Sequence, residues 1–208
     1  MIVVAGGSSA RFGGDKLLEP INGIPLIAHT VSRCISTVDT TVLVARSDLV
    51  EAFRELDLNI EIVPGGATRT LSEMAGLAAV GDDADLIGIH DGARPLINES
   101  LIQELFEVAK RSGGAVPVLA PEHMLIERDL LRPISNAVVV QTPQVFRGPD
   151  LFAAYARSVV AGYEAQDTVE IVSRFSELPI MSVAGDQDNV KVTYPEDLAA
   201  IRSALSGH

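Results

Sequence analysis

The sequence predicts an α/β fold: a Rossmann-like, mostly parallel sheet with helices on both faces, from which a hairpin arm protrudes. Three observations predict it. Short β-branched runs alternate with segments of helical period along most of the chain. Those runs are continuously apolar, as strands covered on both faces are. The alternation lapses in only one stretch, at about 120–141, which therefore reads as the arm.

Taken in order, "MIVVA" (1–5) is a first buried strand that runs directly into a glycine-rich loop. "PLIAHTVSRCI" (25–35) carries apolar residues at helical spacing, "TTVLVA" (40–45) is a second strand, and "DLVEAFREL" (48–56) a second helix. "NIEIV" (59–63), "RTLSEMAGLAAV" (69–80), "DLIGIH" (85–90), "ESLIQELFEVAKRSG" (99–113) and "GAVPVLA" (114–120) continue the strand–helix alternation. After the excursion, with its strand-like "AVVV" (137–140), come helices at "DLFAAYARSVVAG" (150–162) and "DTVEIVSRFS" (167–176). A strand "PIMSVAG" (179–185) and a closing helix "YPEDLAAIRSAL" (194–205), with Pro195 in its first turn, complete the chain. With no linker, repeat or low-complexity tract, residues 1–208 read as a single domain.

The totals exclude several classes of function. A net charge of −12 opposes general affinity for nucleic acid or an anionic membrane, which both need a broad basic surface. No apolar run approaches the ~20 residues of a membrane span. The chain opens without a basic leader, and its one cysteine, Cys34, has no intrachain partner, so a reducing cytoplasm is expected. The four histidines show no zinc-type spacing. Basic residues must work locally, and Arg11, Lys16, Arg69, Arg94 and Lys191 are the candidates.

Four polar clusters follow strands, at 6–16, 64–69, 91–95 and 185–191, and in this architecture ligands bind beyond the carboxyl ends of strands. The first, "VVAGGSSARFGGDK" (3–16), has the composition of a phosphate cradle. Its glycines lack the G-x-G-x-x-G spacing of a dinucleotide fingerprint. Asp15 separates Gly14 from Lys16, and Leu17 follows, so there is no P-loop hydroxyl for Mg²⁺. "GGSSA" lacks the second glycine of a nucleophile elbow. What remains is a loop with accessible backbone N–H groups and two cations, Arg11 and Lys16, for a polyphosphate; an ordinary Gly-rich strand-to-helix loop is the alternative.

"VAGGSSARFGGDK", "GGATRTLSEMAGLAA", "IHDGARPLI", "VVQTPQVF" and "GDQDNVKVTYPEDL", in that order, resemble the 2-C-methyl-D-erythritol 4-phosphate cytidylyltransferase family of the nucleotidyltransferase-A superfamily over nearly the whole chain. The resemblance implies that a phosphate oxygen of a polyol phosphate attacks the α-phosphorus of CTP and pyrophosphate leaves, with no covalent intermediate. Catalysis of such a step is mostly alignment and charge neutralisation. By the same resemblance Arg11, Lys16 and Lys191 would be catalytic, and Ala5, Gly6, Gly7, Gly66, Ser72, Asp91 and Gly92 would bind CTP. Asp91, Arg94, Arg132, Thr142 and Lys191 would hold the acceptor, while Arg69 would brace the loops. Mg²⁺, or another divalent cation, would arrive mainly on the CTP phosphates, with Asp91 as its protein ligand. The family's exchange of arms implies a homodimer.

The resemblance departs at the excursion. Glu122 and His123 stand where the family has an Asp-Thr pair, and counting back from "QTPQ" to the arm arginine reaches Ile134, so Arg132 requires a gap. The opening loop also resembles that of molybdenum-cofactor nucleotidyltransferases. Synthesis of CDP-ribitol from ribitol 5-phosphate, molybdopterin nucleotidyl transfer and a non-catalytic nucleotide-binding regulator therefore stand as alternatives.

Overall fold

The structure is a computed structural model that describes residues 1–7, 11–127 and 132–206. Its strands are β1 (Ile2–Ala5), β2 (Pro20–Ile21), β3 (Ile24–Pro25), β4 (Val42–Ala45), β5 (Glu61–Pro64), β6 (Leu86–Asp91), β7 (Gly114–Leu119), β8 (Val139–Val140), β9 (Gln144–Arg147) and β10 (Ile180–Ala184). The helices are α1 (Leu26–Ile35), α2 (Val50–Arg54), α3 (Arg69–Val80), α4 (Glu99–Ser112), α5 (Gly148–Val160), α6 (Thr168–Phe175) and α7 (Asp197–Ser206).

The main sheet runs β10-β7-β9-β6-β1-β4-β5, and β2 and β3 form a separate small hairpin. β1 pairs in parallel with both β4 and β6, β5 extends β4, and β10 is parallel to β7. Alternation along β1 shows why its run is apolar throughout: Val3 and Ala5 join a core layer with Leu26 and Ile27 of α1 and Leu105 of α4, whereas Ile2 joins the opposite layer with Leu77 of α3 and Tyr155 of α5.

Besides the β2–β3 hairpin, for which the sequence reading has no strands, three elements differ from the expectation. β9 lies antiparallel between β6 and β7 and has no counterpart in the sequence reading. Its four residues follow directly on the polar "QTP", and the burial of Gln144, Val145 and Phe146 comes from neighbours distant in sequence. The second helix shrinks to a 3₁₀ turn at Ser47–Leu49 followed by the short α2. The last helix starts at Asp197, because that side chain accepts the Thr193 and Tyr194 N–H groups at 2.6 and 2.8 Å; Pro195 sits in the turn before it.

The excursion is a hairpin arm. Ile126 bridges Pro133, the Glu127 N–H donates to the Arg132 carbonyl at 2.8 Å, and the Ile134 N–H donates to the Leu125 carbonyl at 2.8 Å. Only Val139–Val140 of "AVVV" is strand, antiparallel to the end of β7. Residues 128–131 lie outside the described residues.

Because β1, β4, β5 and β6 are parallel neighbours, their ends at Ala5, Ala45, Pro64 and Asp91 reach one edge of the sheet. β9 reverses between β6 and β7, so β7 and β10 also point that way and deliver 185–191 to the same edge.

Candidate active site

A cavity of about 480 Å³ opens at that edge. Ala5, Gly6 and Gly7 continue β1 into it, and Lys16 returns to it from the far side of the glycine loop. Leu17 is buried behind Lys16 and anchors the returning chain, while Lys16 Nζ donates to the Val192 carbonyl at 2.6 Å. The wall from Gly66 to Ser72 is shaped by the start of α3. Thr68 Oγ1 accepts the Leu71 N–H at 3.2 Å as an N-cap, and Ser72 Oγ donates to the Thr68 carbonyl at 2.9 Å. A Cβ on Gly66 would fall 2.3 Å from Leu71 Cβ, so only glycine lets the chain fold back so closely there.

Asp91, the last residue of β6, is the electrostatic centre. Its Oδ1 pairs with Arg69 Nη1 at 2.8 Å, and its Oδ2 pairs with Lys191 Nζ at 2.9 Å and Arg94 Nε at 3.4 Å. Burial alone would push its carboxyl up; Arg69, Lys191 and Arg94 outweigh that and hold it well below the usual carboxylate range. Lys16 shifts the other way: desolvation and the repulsion of Lys191 lower its ammonium from the ordinary lysine value. Two lysines far apart in sequence thus repel across one cavity, as cations preorganised for a polyanion do.

Behind Asp91, buried side chains fix the loops to one another. The Asp91 N–H donates to Thr142 Oγ1 at 3.0 Å, and that hydroxyl lies 3.0 Å from His90 Nδ1, whose Nε2 faces the Arg94 carbonyl at 3.3 Å. With the Thr142 proton given to Nδ1, His90 is neutral and carries its own proton on Nε2. Asn189 Nδ2 donates to the Thr142 carbonyl at 2.9 Å, and Gln141 Nε2 donates to the Asp186 carbonyl at 2.8 Å. Arg94 Nη1 donates to the Asn189 carbonyl at 2.7 Å, so the loop carrying Lys191 is tied to those after β6 and before β9.

Burial pushes His90 down to about 4, against an ordinary value near 6.5; Asp91 opposes that shift and Arg94 adds to it. Above pH 6.5 neither the folded nor the unfolded chain protonates this ring appreciably, so its stabilising contribution is complete. Between 6.5 and 4 only the unfolded chain takes the proton, and stability falls with pH. The expected loss is about 2 kcal/mol between pH 7.5 and pH 5. Urea unfolding at the two pH values, repeated on His90→Gln, checks it: the variant's pH dependence should be weaker by that amount, and equal slopes would contradict it.

The family model for 2-C-methyl-D-erythritol 4-phosphate cytidylyltransferase matches residues 1–206. The chain belongs to this cytidylyltransferase family. It is 36% identical to the enzyme of that name from Dehalococcoides mccartyi, across 95% of this chain and 91% of that one. With the Porphyromonas gingivalis enzyme of the same name it shares 32%, across 99% and 96%. The crystal structure of the cytidylyltransferase from Thermus thermophilus superposes with a TM-score of 0.82 at 28% identity, across 100% of this chain and 98% of that one.

Of the residues the cytidylyltransferase resemblance singled out, the cavity gathers Ala5, Gly6, Gly7, Lys16, Gly66, Ser72, Asp91 and Lys191, with Arg69 among them. Others it does not gather. Arg11 is exposed, with its guanidinium 5.7 Å from the centre of the Tyr194 ring. The Gly92 N–H donates to the Val4 carbonyl and its own carbonyl accepts the Thr30 hydroxyl, both at 2.9 Å, so Gly92 supports the floor. Arg94 and Thr142 spend their polar atoms on the bracing just described. Arg132 is exposed on the arm, and Ser8–Ala10 lie outside the described residues.

Sequence reasoning missed Arg46, which lines the cavity and bridges Asp15 at 2.7 Å and Asp48 at 2.6 Å, holding the end of the glycine loop. Its place immediately after β4 was the available signal. Glu73 was missed too, although it stands on the apolar face of α3 with Gly76 and Leu77, where a carboxylate is out of pattern.

Among the described residues no three His, Cys, Asp or Glu side chains group to hold a metal. Among the described residues Asp91 is the one carboxylate on the cavity, and both its oxygens already face cations. This donor set does not fit a protein-held Mg²⁺.

Proposed function

We propose that this protein joins CTP and 2-C-methyl-D-erythritol 4-phosphate, giving 4-diphosphocytidyl-2-C-methyl-D-erythritol and pyrophosphate, and that it works in the cytoplasm as a homodimer. The observation that carries the reading is the meeting of Lys16 and Lys191 on a cavity that also holds the Gly66–Ser72 wall. The two ammonium groups suit the triphosphate and the acceptor phosphate. As the acceptor's phosphate oxygen bonds to the α-phosphorus, the bond to the β-phosphate breaks, and fixed cations stabilise the charge on the oxygens in transfer.

The base-binding wall supports cytosine. Because the Ser72 hydroxyl gives its proton to the Thr68 carbonyl, its lone pairs are left to accept from an exocyclic amine, which cytosine has and uracil lacks.

The arm supports the homodimer. Met124, Ile126, Ile134 and Val138 are all exposed on it, with Met124 at 77%, and an apolar hairpin of this kind is suited to burial against another copy. Among the described residues no helix is long and apolar enough to cross a membrane.

Pyrophosphate release, measured with CTP, UTP and ATP and with methylerythritol phosphate or ribitol phosphate as acceptor, tests the proposal. Turnover is expected with CTP and methylerythritol phosphate, about 100-fold or more above UTP, since a site that hydrogen-bonds a specific donor rejects the analogue without it. Faster turnover of ribitol phosphate would reassign the acceptor. CTP binding without release from any pair would leave a nucleotide-binding regulator instead.

A further inference from the structure

Glu73 is a charged residue where the fold asks for an apolar one. It lies in the first half of α3, 1% exposed, against the core layer that contains Leu77, Tyr155 and Ile171. Its oxygens are nonetheless fully engaged. The Tyr155 hydroxyl donates to Oε2, the Thr168 hydroxyl donates to Oε1 at 2.9 Å, and Arg69 Nε lies 2.8 Å from Oε1 as an ion pair without the alignment of a hydrogen bond. Helices α3, α5 and α6 thus each send one buried polar group to the same carboxylate.

The far side of that cluster is the cavity. Arg69 stands on α3 one turn before Glu73, lines the cavity, and passes its Nη1 to Asp91 Oδ1. A continuous chain of contacts runs from Tyr155 and Thr168 through Glu73 and Arg69 to Asp91 and on to Lys191. Burying an ion pair is a poor way to gain stability, since apolar residues of similar volume serve as well or better. What a carboxylate held by two hydroxyls does supply is a fixed anchor for a guanidinium.

We propose that Glu73 is a positioning residue for nucleotidyl transfer: it pins Arg69 on Asp91 and keeps that long cation from swinging onto the nucleotide's phosphates. This rests on the function proposed above. An unpinned Arg69 would be a mobile cation on the cavity wall among the fixed Lys16, Lys191 and Arg46. It would still attract CTP, but in poses in which the α-phosphorus is not aligned with the acceptor.

That consequence separates positioning from mere structural support. Glu73→Gln keeps the volume and removes the charge. It is expected to lower kcat by about 10- to 100-fold, the usual cost of a small misplacement, while the KM for CTP stays level or falls. In an Arg69→Gln background the same change should add no further loss, because Glu73 acts only through Arg69. Tyr155→Phe, which leaves the carboxylate in place and removes one of its donors, should show the same split between kcat and KM at smaller size; it also carries the test if Glu73→Gln does not fold.

Turnover of Glu73→Gln at the wild-type rate, a loss confined to KM, or an additive loss on top of Arg69→Gln would each overturn the proposal. If Glu73→Gln does not fold, Tyr155→Phe with wild-type kinetics would do so. A wild type that releases no pyrophosphate from CTP would overturn the functional reading together with it. An active wild type with an indifferent Glu73→Gln overturns the role of Glu73 alone.

Discussion

Lys16→Ala is expected to lower kcat by about 10²–10³-fold, equivalent to about 2.7–4 kcal/mol of transition-state stabilisation, the cost typical of removing one preorganised donor at a site of developing charge. Its ammonium reaches the cavity from a loop that Leu17 anchors and Arg46 holds through Asp15. It stands close enough to Lys191 for repulsion between the two to lower its pKa. Such paired cations relieve their mutual repulsion only when a polyanion arrives. The fold itself should barely notice the change. Lys16 gives up one hydrogen bond, to the Val192 carbonyl, and sheds an unfavourable charge contact in return. Pyrophosphate release and the urea midpoint, measured on one preparation, check both halves: unchanged turnover would remove Lys16 from the chemistry, and a large loss of stability would make it a structural residue. Lys16→Arg should recover only part of the rate, since a planar fork cannot reproduce a compact point charge within the same loop.

The elements with strong periodicity were legible in the sequence because one local cause, burial on a known face, set both pattern and structure. α4 is of this kind, and β1 was legible instead because burial on both faces makes its run apolar throughout. β9 was not legible, since its four residues become a strand only because β6 and β7 stand on either side of it. The same division holds in the site. The loops that carry Lys16 and Gly66 follow parallel strands, and Asp91 ends β6, so parallel pairing is enough to bring them together; Lys191 joins them only because the antiparallel β9 turns β7 and β10 the same way. The direction of a side chain leaving such a loop depends on tertiary partners. Thr142 turns inward because the Asp91 N–H and the His90 ring meet its hydroxyl, and Arg94 because the Asn189 carbonyl is within reach. Neither partner adjoins it along the chain. The arm shows a third case: its apolar residues are plain in the sequence, but their exposure is a property of the folded chain.

Asp91→Asn is expected to cost about 3–5 kcal/mol of stability at neutral pH, the range for breaking a buried ion pair by removing one partner. The carboxylate is 8% exposed and faces three cations, so the amide would leave Arg69, Arg94 and Lys191 repelling one another with one of its own N–H donors turned toward them. Lys191, at 40% exposed, can turn to water, and this favours the lower end of the range. The sign with pH follows from the depressed carboxyl. In wild type its contribution is complete above the ordinary carboxylate value near 4, where the unfolded chain is already ionised, and is lost progressively as pH falls below that value. The gap between wild type and Asp91→Asn should therefore be constant from pH 8 to pH 5 and narrow only in acid. Urea unfolding across that range measures it. Adding Lys191→Met to Asp91→Asn removes one of the stranded cations and should restore about 1 kcal/mol. Were the loss due to packing around an altered side chain, the second substitution would restore nothing, and the cluster would lose its claim to hold the Lys191 loop over the cavity.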